Sequence, residues 1–105
     1  GEHVIGKEVE EAMQLTTKSI NASVTEYTVA PKIEVEGELP YHEWMVEFEK
    51  EPEDIEVFSL QLDNYLQEQN SYYFDLIQGK VLQPLKITKI ESKQTFVFHW
   101  TFVNH

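Results

Sequence analysis

The stretch at residues 41–76, YHEWMVEFEKEPEDIEVFSLQLDNYLQEQNSYYFDL, decides the fold of this chain. Its first ten residues alternate in polarity, which is typical of a β-strand with one buried face. The apolar face consists of His42, Trp44, Val46 and Phe48. The opposite face is mostly acidic and consists of Glu43, Met45, Glu47 and Glu49. The pattern therefore predicts a strand that lies against a core on one side only.

A helix is predicted to follow this strand, with Pro52 as its first residue. Proline is tolerated there because the first N–H groups of a helix have no partner within it. Glu53 and Asp54 would add negative charge to the first turn, near the positive end of the helix dipole. The predicted apolar face, which Val57 and Leu60 would widen, consists of Ile55, Phe58, Leu62, Tyr65, Leu66 and Gln69.

A second, shorter helix is predicted directly after the first. Asn70 and Ser71 are favourable N-cap residues, and we expect the helix to run to Gln78. Gly79 is expected to end it in the left-handed conformation that glycine adopts without steric cost.

Two further elements are predicted before residue 41. Residues 7–20 place apolar side chains at helical spacing and predict an amphipathic helix. Residues 23–35 are rich in β-branched and aromatic types and predict a strand to about Val29, which continues beyond Pro31. Because proline lacks a backbone donor, this strand is expected at a sheet edge or a bulge.

The remaining segments complete the predicted fold. Residues 36–40 have the composition of a turn, and residues 84–90 alternate as a moderate strand. Residues 95–103 alternate Phe and Trp with smaller residues and predict a strongly aromatic final strand. Together these elements predict one domain over residues 1–105. Its class is α+β: a small mixed or antiparallel β-sheet with two to three helices packed mainly on one face.

Composition narrows the class of function. The chain has 105 residues, of which 41% are hydrophobic, so a folded globular domain is expected. Its 19 acidic and 8 basic residues give a net charge of −11, which disfavours nucleic-acid binding. No apolar run reaches the roughly 18 residues of a membrane helix, so no membrane association is expected. Cysteine is absent and no secretory leader is visible, and we expect a cytoplasmic protein.

The histidines do not predict a metal site. His42 lies on the apolar face of the predicted strand, where a hydrogen-bonded histidine is expected. His99 and His105 lie in the aromatic tail without a carboxylate at ligand spacing. No glycine-rich phosphate loop is present either, so we expect this chain by itself to bind no cofactor.

Most of the chain resembles the C-terminal domain of the Gretchen Hagen three family, the auxin-responsive acyl acid–amido synthetases, which belong to the adenylate-forming enzymes. The similarity is distributed along the sequence rather than concentrated in one signature. The matching residues are Val46, Glu47, Phe48, Glu49, Glu51, Pro52, Leu62, Asp63, Leu66, Asn70, Tyr73, Leu82, Pro84, Thr95 and Phe96.

The N-terminal segment carries a second resemblance. Residues 1–10, GEHVIGKEVE, are similar to the Gly-x-Arg-Ile-x-x-x-Glu-Ile/Val-Glu hinge of the adenylate-forming superfamily. The likeness implies that the domain begins at an interdomain hinge. His3 occupies the position that is usually arginine in that hinge, and the likeness implies that it contacts the acceptor or a phosphate as a catalytic hinge residue.

The resemblance implies a role for the domain as a whole. Such enzymes use ATP and Mg²⁺ in a large N-terminal adenylation domain to activate a carboxylic acid. The small C-terminal domain then moves to position the acceptor for the second half-reaction and is inactive alone. The C-terminal tail departs from the superfamily pattern. The superfamily usually has a Gly-Lys pair with a catalytic lysine at this place, and this chain has Phe96, Val97 and Phe98 instead.

One alternative comes from a different class of function. The chain could be a free-standing α+β module that binds a protein partner through its acidic surface and its aromatic tail. The acid substrate, the amine acceptor, the choice between an amide and a thioester product and the oligomeric state are not encoded in any pattern of this sequence.

Overall fold

The computed structural model of the protein describes residues 6–33 and 36–90. These residues form three helices and three strands in the predicted order. They are α1 (Gly6–Ser19), β1 (Ser23–Lys32), β2 (Tyr41–Lys50), α2 (Ile55–Gln69), α3 (Ser71–Gln78) and β3 (Lys86–Lys89). The aromatic strand predicted at residues 95–103 lies outside the described residues.

The three described strands form one mixed sheet in the order β1-β2-β3. β1 is antiparallel to β2, with Tyr27 opposite Val46, and β3 is parallel to β2, with Ile87 opposite Trp44. A parallel neighbour requires a crossover connection, and α2 and α3 provide it. The predicted class, a small α+β domain with a mixed sheet, is therefore confirmed.

One hydrophobic core lies between the helices and the sheet. Its buried members are Val9, Ala12, Met13, Trp44, Val46, Phe58, Leu62, Leu66, Tyr73, Leu82 and Leu85. The Trp44 ring stacks on Tyr27 with 5.5 Å between centroids, and Phe48 meets Phe58 edge to face at 5.3 Å. Burial of each large side chain stabilises the fold by about 1.5–3 kcal/mol. Five of the buried members come from β2 and α2, namely Trp44, Val46, Phe58, Leu62 and Leu66.

The two faces of β2 differ as the alternation predicts, with one exception. Trp44 and Val46 are fully buried against the helices. Glu47 lies opposite Glu26 on the other face of the sheet but is only 7% exposed, although the sequence places it on a mostly solvated face.

The helix α2 begins three residues later than predicted. Pro52 is buried before the helix, and Asp54 is its N-cap with extended backbone dihedrals, φ −136° and ψ 110°. The Asp54 carboxylate accepts the N–H groups of Glu56 and Val57 at 2.9 and 3.3 Å. The prediction was wrong because an N-cap must be non-helical for its side chain to reach those two donors.

The predicted widening of the apolar face of α2 is also wrong. Val57 and Leu60 are 49% and 61% exposed. At about 100° per residue they lie on the side of the helix away from Phe58, Leu62 and Leu66, which form the buried row.

The helix α3 spans the predicted residues, but its left-handed residue is not Gly79. Gly79 has φ −81°, and the following Lys80 has φ 60°. A Cβ atom at position 79 would lie 3.0 Å from the carbonyl oxygen of Asp75. Glycine is therefore favoured at position 79 by the close approach of that carbonyl.

The edge strands also differ in detail from the prediction. Within the sheet formed by residues 6–33 and 36–90, β1 lies at an edge, as predicted, and runs through Pro31, which pairs with His42. The register shifts occur near Val24 instead of at the proline. β3 is shorter than the predicted 84–90 segment, although the Ile90 N–H still donates to the Val46 carbonyl at 2.9 Å. None of the described helices is long and apolar enough to cross a membrane.

Candidate functional site

The catalytic residue that the hinge resemblance suggests, His3, lies outside the described residues, and so do His99 and His105. His42 and all residues from Asp63 to Tyr73 are described. The candidate sites are therefore a buried polar cluster in the core and two open surfaces beside it.

Asp63 is the centre of the buried polar cluster. It lies on α2, is only 3% exposed, and accepts three hydrogen bonds. The Tyr73 hydroxyl of α3 and the Leu85 backbone N–H, at 3.1 Å, both donate to Oδ1. The Gln67 Nε2 donates to Oδ2 at 2.7 Å. One carboxylate thus joins two helices and the segment that leads into β3.

Tyr73 is fully buried and keeps its proton. Burial, followed by the neighbouring Asp63 carboxylate, raises the pKa of the Tyr73 hydroxyl far above its usual range. The Tyr73 ring stacks on His42 with 5.8 Å between the ring centroids and 20° between the planes. This contact links α3 directly to β2.

His42 differs from the prediction of a hydrogen-bonded histidine. Its buried Nδ1 has no hydrogen-bond partner among the described residues, and neither does the Nε1 of Trp44. Burial lowers the pKa of His42, whereas the nearby Asp63 carboxylate opposes that shift. The neutral imidazole is therefore the favoured form in the folded domain.

The buried cluster does not have the geometry of a catalytic relay. A base activates a nucleophile through a hydrogen bond, and His42 instead meets Tyr73 ring against ring. The Tyr73 proton is directed to Asp63, which is already bonded to two other donors. The arrangement holds elements together rather than moving a proton.

Asn70 extends the same connections to α1. It is the N-cap of α3, and its Oδ1 accepts the Tyr73 N–H at 2.8 Å. Its Nδ2 donates to Glu8 Oε1 at 2.7 Å, across 62 residues of sequence. The α2–α3 corner is thereby fixed to the first turn of α1.

Sequence patterns alone did not predict that Asp63 accepts hydrogen bonds from several elements. Asp63 and Tyr73 were among the residues of the family resemblance, but no role was predicted for either. The available signal was a carboxylate directly after Leu62, on the flank of the buried row of α2. A charged side chain in that position is rarely buried without partners.

A groove between α2 and β3 forms the first open surface, and we refer to it as the α2–β3 groove. Its volume is about 440 Å³. Its lining residues are Ile55, Glu56, Ser59, Leu60, Leu85, Lys86 and Ile87. The Ser59 hydroxyl donates to the Leu85 carbonyl at 3.1 Å and so joins α2 to the segment before β3.

The second surface is the part of the sheet face away from the helices that surrounds Glu43. This carboxylate accepts a hydrogen bond from Thr88 at 2.6 Å and pairs with Lys32 at 3.3 Å. The Thr88 hydrogen bond and then Lys32 lower the pKa of Glu43. Nearby, the Lys86 ammonium lies 4.4 Å from the centre of the Tyr41 ring.

Residues 6–33 and 36–90 contain no group of three or more metal-ligating side chains that could hold a metal ion.

Comparison with known families gives a match over most of the chain. Residues 7–99 match the model described as "GH3 family C-terminal domain". The match covers all of the described residues except Gly6, and it includes Asp63, Asn70 and Tyr73. No curated protein matches the sequence.

Proposed function

Since this chain belongs to the GH3 family and matches its C-terminal domain, we propose that it is the mobile lid of an ATP-dependent acyl acid–amido synthetase. Membership makes it part of a larger GH3 protein with an N-terminal domain. In this proposal the N-terminal domain adenylates a carboxylic acid, and the present domain positions the acceptor for the second half-reaction. The single observation that carries the proposal is the family match at residues 7–99.

The internal contacts support movement as one body. Domain closure needs an element that keeps its shape while its position changes. Asp63 joins α2, α3 and the start of β3, while Asn70 fixes α1 to the same corner. All three helices are linked by hydrogen bonds, and these links favour a domain that changes position as one body.

The proposal assigns the chemical components to the two domains. ATP and Mg²⁺ bind in the N-terminal domain, and the present domain binds neither when isolated. His3, at the hinge, contacts the acceptor or a phosphate after closure. The enzyme acts in the cytoplasm, and its product is an amide formed with an amino acid. The family match favours this function over a free-standing interaction module.

The test separates the two half-reactions in the full-length enzyme. Acid-dependent exchange of pyrophosphate into ATP measures adenylation, and product formation with amino acids measures the second step. Deletion of residues 7–99 is expected to abolish amide formation while adenylation persists. Restoring the domain by fusion should restore amide formation. Unchanged amide formation in the deletion variant would contradict the proposal.

The role of His3 has its own test in the same assays. We expect His3→Ala to slow amide formation and to leave adenylation unchanged, because the hinge residue acts only in the second position of the domain. His42→Ala is not a suitable control because His42 packs on Tyr73. His105→Ala is the matched control. Loss of adenylation alone in His3→Ala would contradict the assigned role.

A further inference from the structure

The first turn of α1 is the part of the described fold that lies nearest to the N-terminal domain along the chain. The helix begins at Gly6, and the match to the C-terminal domain begins at residue 7. Gly6 and Lys7 are exposed, and the buried row of α1 starts only at Val9. Because the first N–H groups of a helix have no partners within it, such an end keeps its orientation only where a side chain holds it.

Glu8 supplies a contact of this kind. Its Oε1 accepts a hydrogen bond from the Asn70 Nδ2 at 2.7 Å. Asn70 is only 6% exposed, so the carboxylate meets a donor that is largely shielded from water. Hydrogen bonds to charged acceptors are stronger than neutral ones, and they are directional, whereas apolar contacts are not. The contact therefore fixes the angle of the first turn as well as its position.

Asn70 is itself held firmly at the α2–α3 corner. Its backbone N–H donates to the Leu66 carbonyl at 3.0 Å, and its own carbonyl accepts the Phe74 N–H at 3.0 Å. Its Oδ1 accepts the Tyr73 N–H at 2.8 Å, so the Nδ2 of the same amide faces Glu8. One side chain thus joins the first turn of α1 to the end of α2 and the beginning of α3.

We propose that Glu8 is a positioning residue for the second half-reaction. Through Asn70 it sets the angle between the first turn of α1 and the α2–α3 corner, and so the place at which the closed lid presents the acceptor. This role rests on the proposed function and adds the contact that orients the lid relative to the chain leading to the N-terminal domain. Glu8 acts through Asn70 and not on the reacting atoms.

A small change of this angle is sufficient to affect the reaction. The 14 residues of α1 extend over about 21 Å, and a tilt of about 5° moves the far end of a helix of this length by about 2 Å. A misplacement of about 1 Å at reacting groups can cost about a hundredfold in rate. Since the N-terminal domain adenylates the acid without the lid in the proposed function, only amide formation should respond.

An exchange of donor and acceptor in the full-length enzyme tests the role of Glu8. Asn70→Asp keeps an oxygen for the Tyr73 N–H but places a second carboxylate against Glu8. Glu8→Gln combined with Asn70→Asp restores the hydrogen bond in the opposite direction, since the Gln amide donates to the new carboxylate. Glu8→Ala removes the acceptor. Glu11→Ala is its matched control, because Glu11 is exposed on the same helix.

The two half-reactions are measured separately for each variant. We expect Asn70→Asp and Glu8→Ala each to lower kcat of amide formation about tenfold, with acid-dependent pyrophosphate exchange unchanged. The double variant should return kcat to within about twofold of the wild type, because the two substitutions are coupled through one contact. Glu11→Ala should change neither half-reaction.

Tyr73→Phe separates positioning from stability. It removes a donor from Asp63 and so weakens the same corner, but it keeps the Tyr73 N–H and the contact between Glu8 and Asn70. Thermal unfolding ranks the loss of stability of each variant. We expect Tyr73→Phe to lose at least as much stability as Asn70→Asp while amide formation keeps its rate. A rate that falls in proportion to lost stability in both variants would overturn the proposal.

The remaining outcomes distinguish the role of Glu8 from the lid function. If deletion of residues 7–99 leaves amide formation intact, both are wrong. If deletion abolishes amide formation but Glu8→Ala behaves as Glu11→Ala does, the lid function stands and the role of Glu8 is wrong. The same conclusion follows if the double variant stays as slow as Asn70→Asp, or if Glu8→Ala slows adenylation as much as amide formation.

Discussion

Two carboxylates of this domain, Asp63 and Glu43, are both hydrogen-bonded, but they lie in opposite environments. Asp63 is buried and accepts donors from α2, α3 and the segment before β3. Glu43 is partly exposed on the sheet face away from the helices, where it contacts Lys32 and Thr88. Both of its partners are on strands adjacent to β2, so its contacts repeat connections that the sheet already makes.

The environment of a polar contact, more than the number of its partners, decides how much the contact contributes to the free energy of unfolding. A buried donor that loses its acceptor retains its full desolvation cost, about 1–3 kcal/mol. An exposed donor regains water, so a surface ion pair contributes only about 0–1 kcal/mol. Four substitutions rank these contributions from the largest effect to the smallest.

Asp63→Ala should have the largest effect. It leaves the Tyr73 hydroxyl and the Leu85 N–H buried without an acceptor, so the free energy of unfolding should fall by about 3 kcal/mol. Urea unfolding followed by circular dichroism measures the change. Asp75→Ala, at an exposed position of α3, is the control and should change stability by about 0.5 kcal/mol or less. Equal losses of unfolding free energy in Asp63→Ala and Asp75→Ala would contradict the distinction between buried and exposed carboxylates.

Tyr73→Phe should be the next most destabilising. It removes one donor from Asp63 while keeping the ring that stacks on His42, and a loss of about 1–2 kcal/mol is expected. Because the pKa of Tyr73 is raised in the folded state, the stability it contributes is complete below its unfolded pKa of about 10 and is lost as the pH rises above that value.

Unfolding curves of the wild type and of Tyr73→Phe at rising alkaline pH test this dependence. The wild type should lose stability more steeply than the variant does. Parallel pH profiles would show that the ionisation of Tyr73 is not linked to folding.

Asn70→Ala should cost about 1 kcal/mol, the usual value of an N-cap. The variant also loses the hydrogen bond to Glu8. Asn70→Asp separates the two contributions, because a carboxylate still accepts the Tyr73 N–H but repels Glu8. Thermal unfolding of both variants measures the difference. If Asn70→Asp is as stable as the wild type, the Glu8 contact contributes nothing.

Glu43→Gln should have the smallest effect, about 0.5 kcal/mol or less, because its ion pair with Lys32 is partly exposed. The pKa of Glu43 is lowered in the folded state. Its contribution is therefore present above the unfolded pKa of about 4.3 and is lost as the pH falls through the folded value. Added salt should reduce the difference in the free energy of unfolding between the wild type and Glu43→Gln. A loss as large as that of Asp63→Ala would contradict the comparison.

Much of the fold could be predicted from local pattern because periodicity reports which side chains share a face. The alternation in β2 and the N-cap at Asn70 both appear as predicted. The errors occur where backbone geometry, and not side-chain periodicity, decides how a helix begins or ends. The beginning of α2 depends on the extended conformation of Asp54, and the left-handed residue after α3 is Lys80 instead of Gly79.

The candidate sites were less predictable than the fold. The one catalytic residue suggested by resemblance, His3, lies outside the described residues and stays a prediction. Two of the three donors to Asp63 lie 10 and 22 positions away in the sequence, and no local pattern relates positions at those distances. The α2–β3 groove likewise exists only because β3 lies beside α2 in the folded chain.

The sequence by itself determined the elements of this domain and their order, since helix and strand periods depend on residues only a few positions apart. The tertiary structure decided that β3 lies parallel to β2, that Asp63 collects donors from three segments, and that Leu60 is exposed. The physical reason is that burial and hydrogen-bond partnership belong to pairs of residues, and such pairs form only when distant segments pack together.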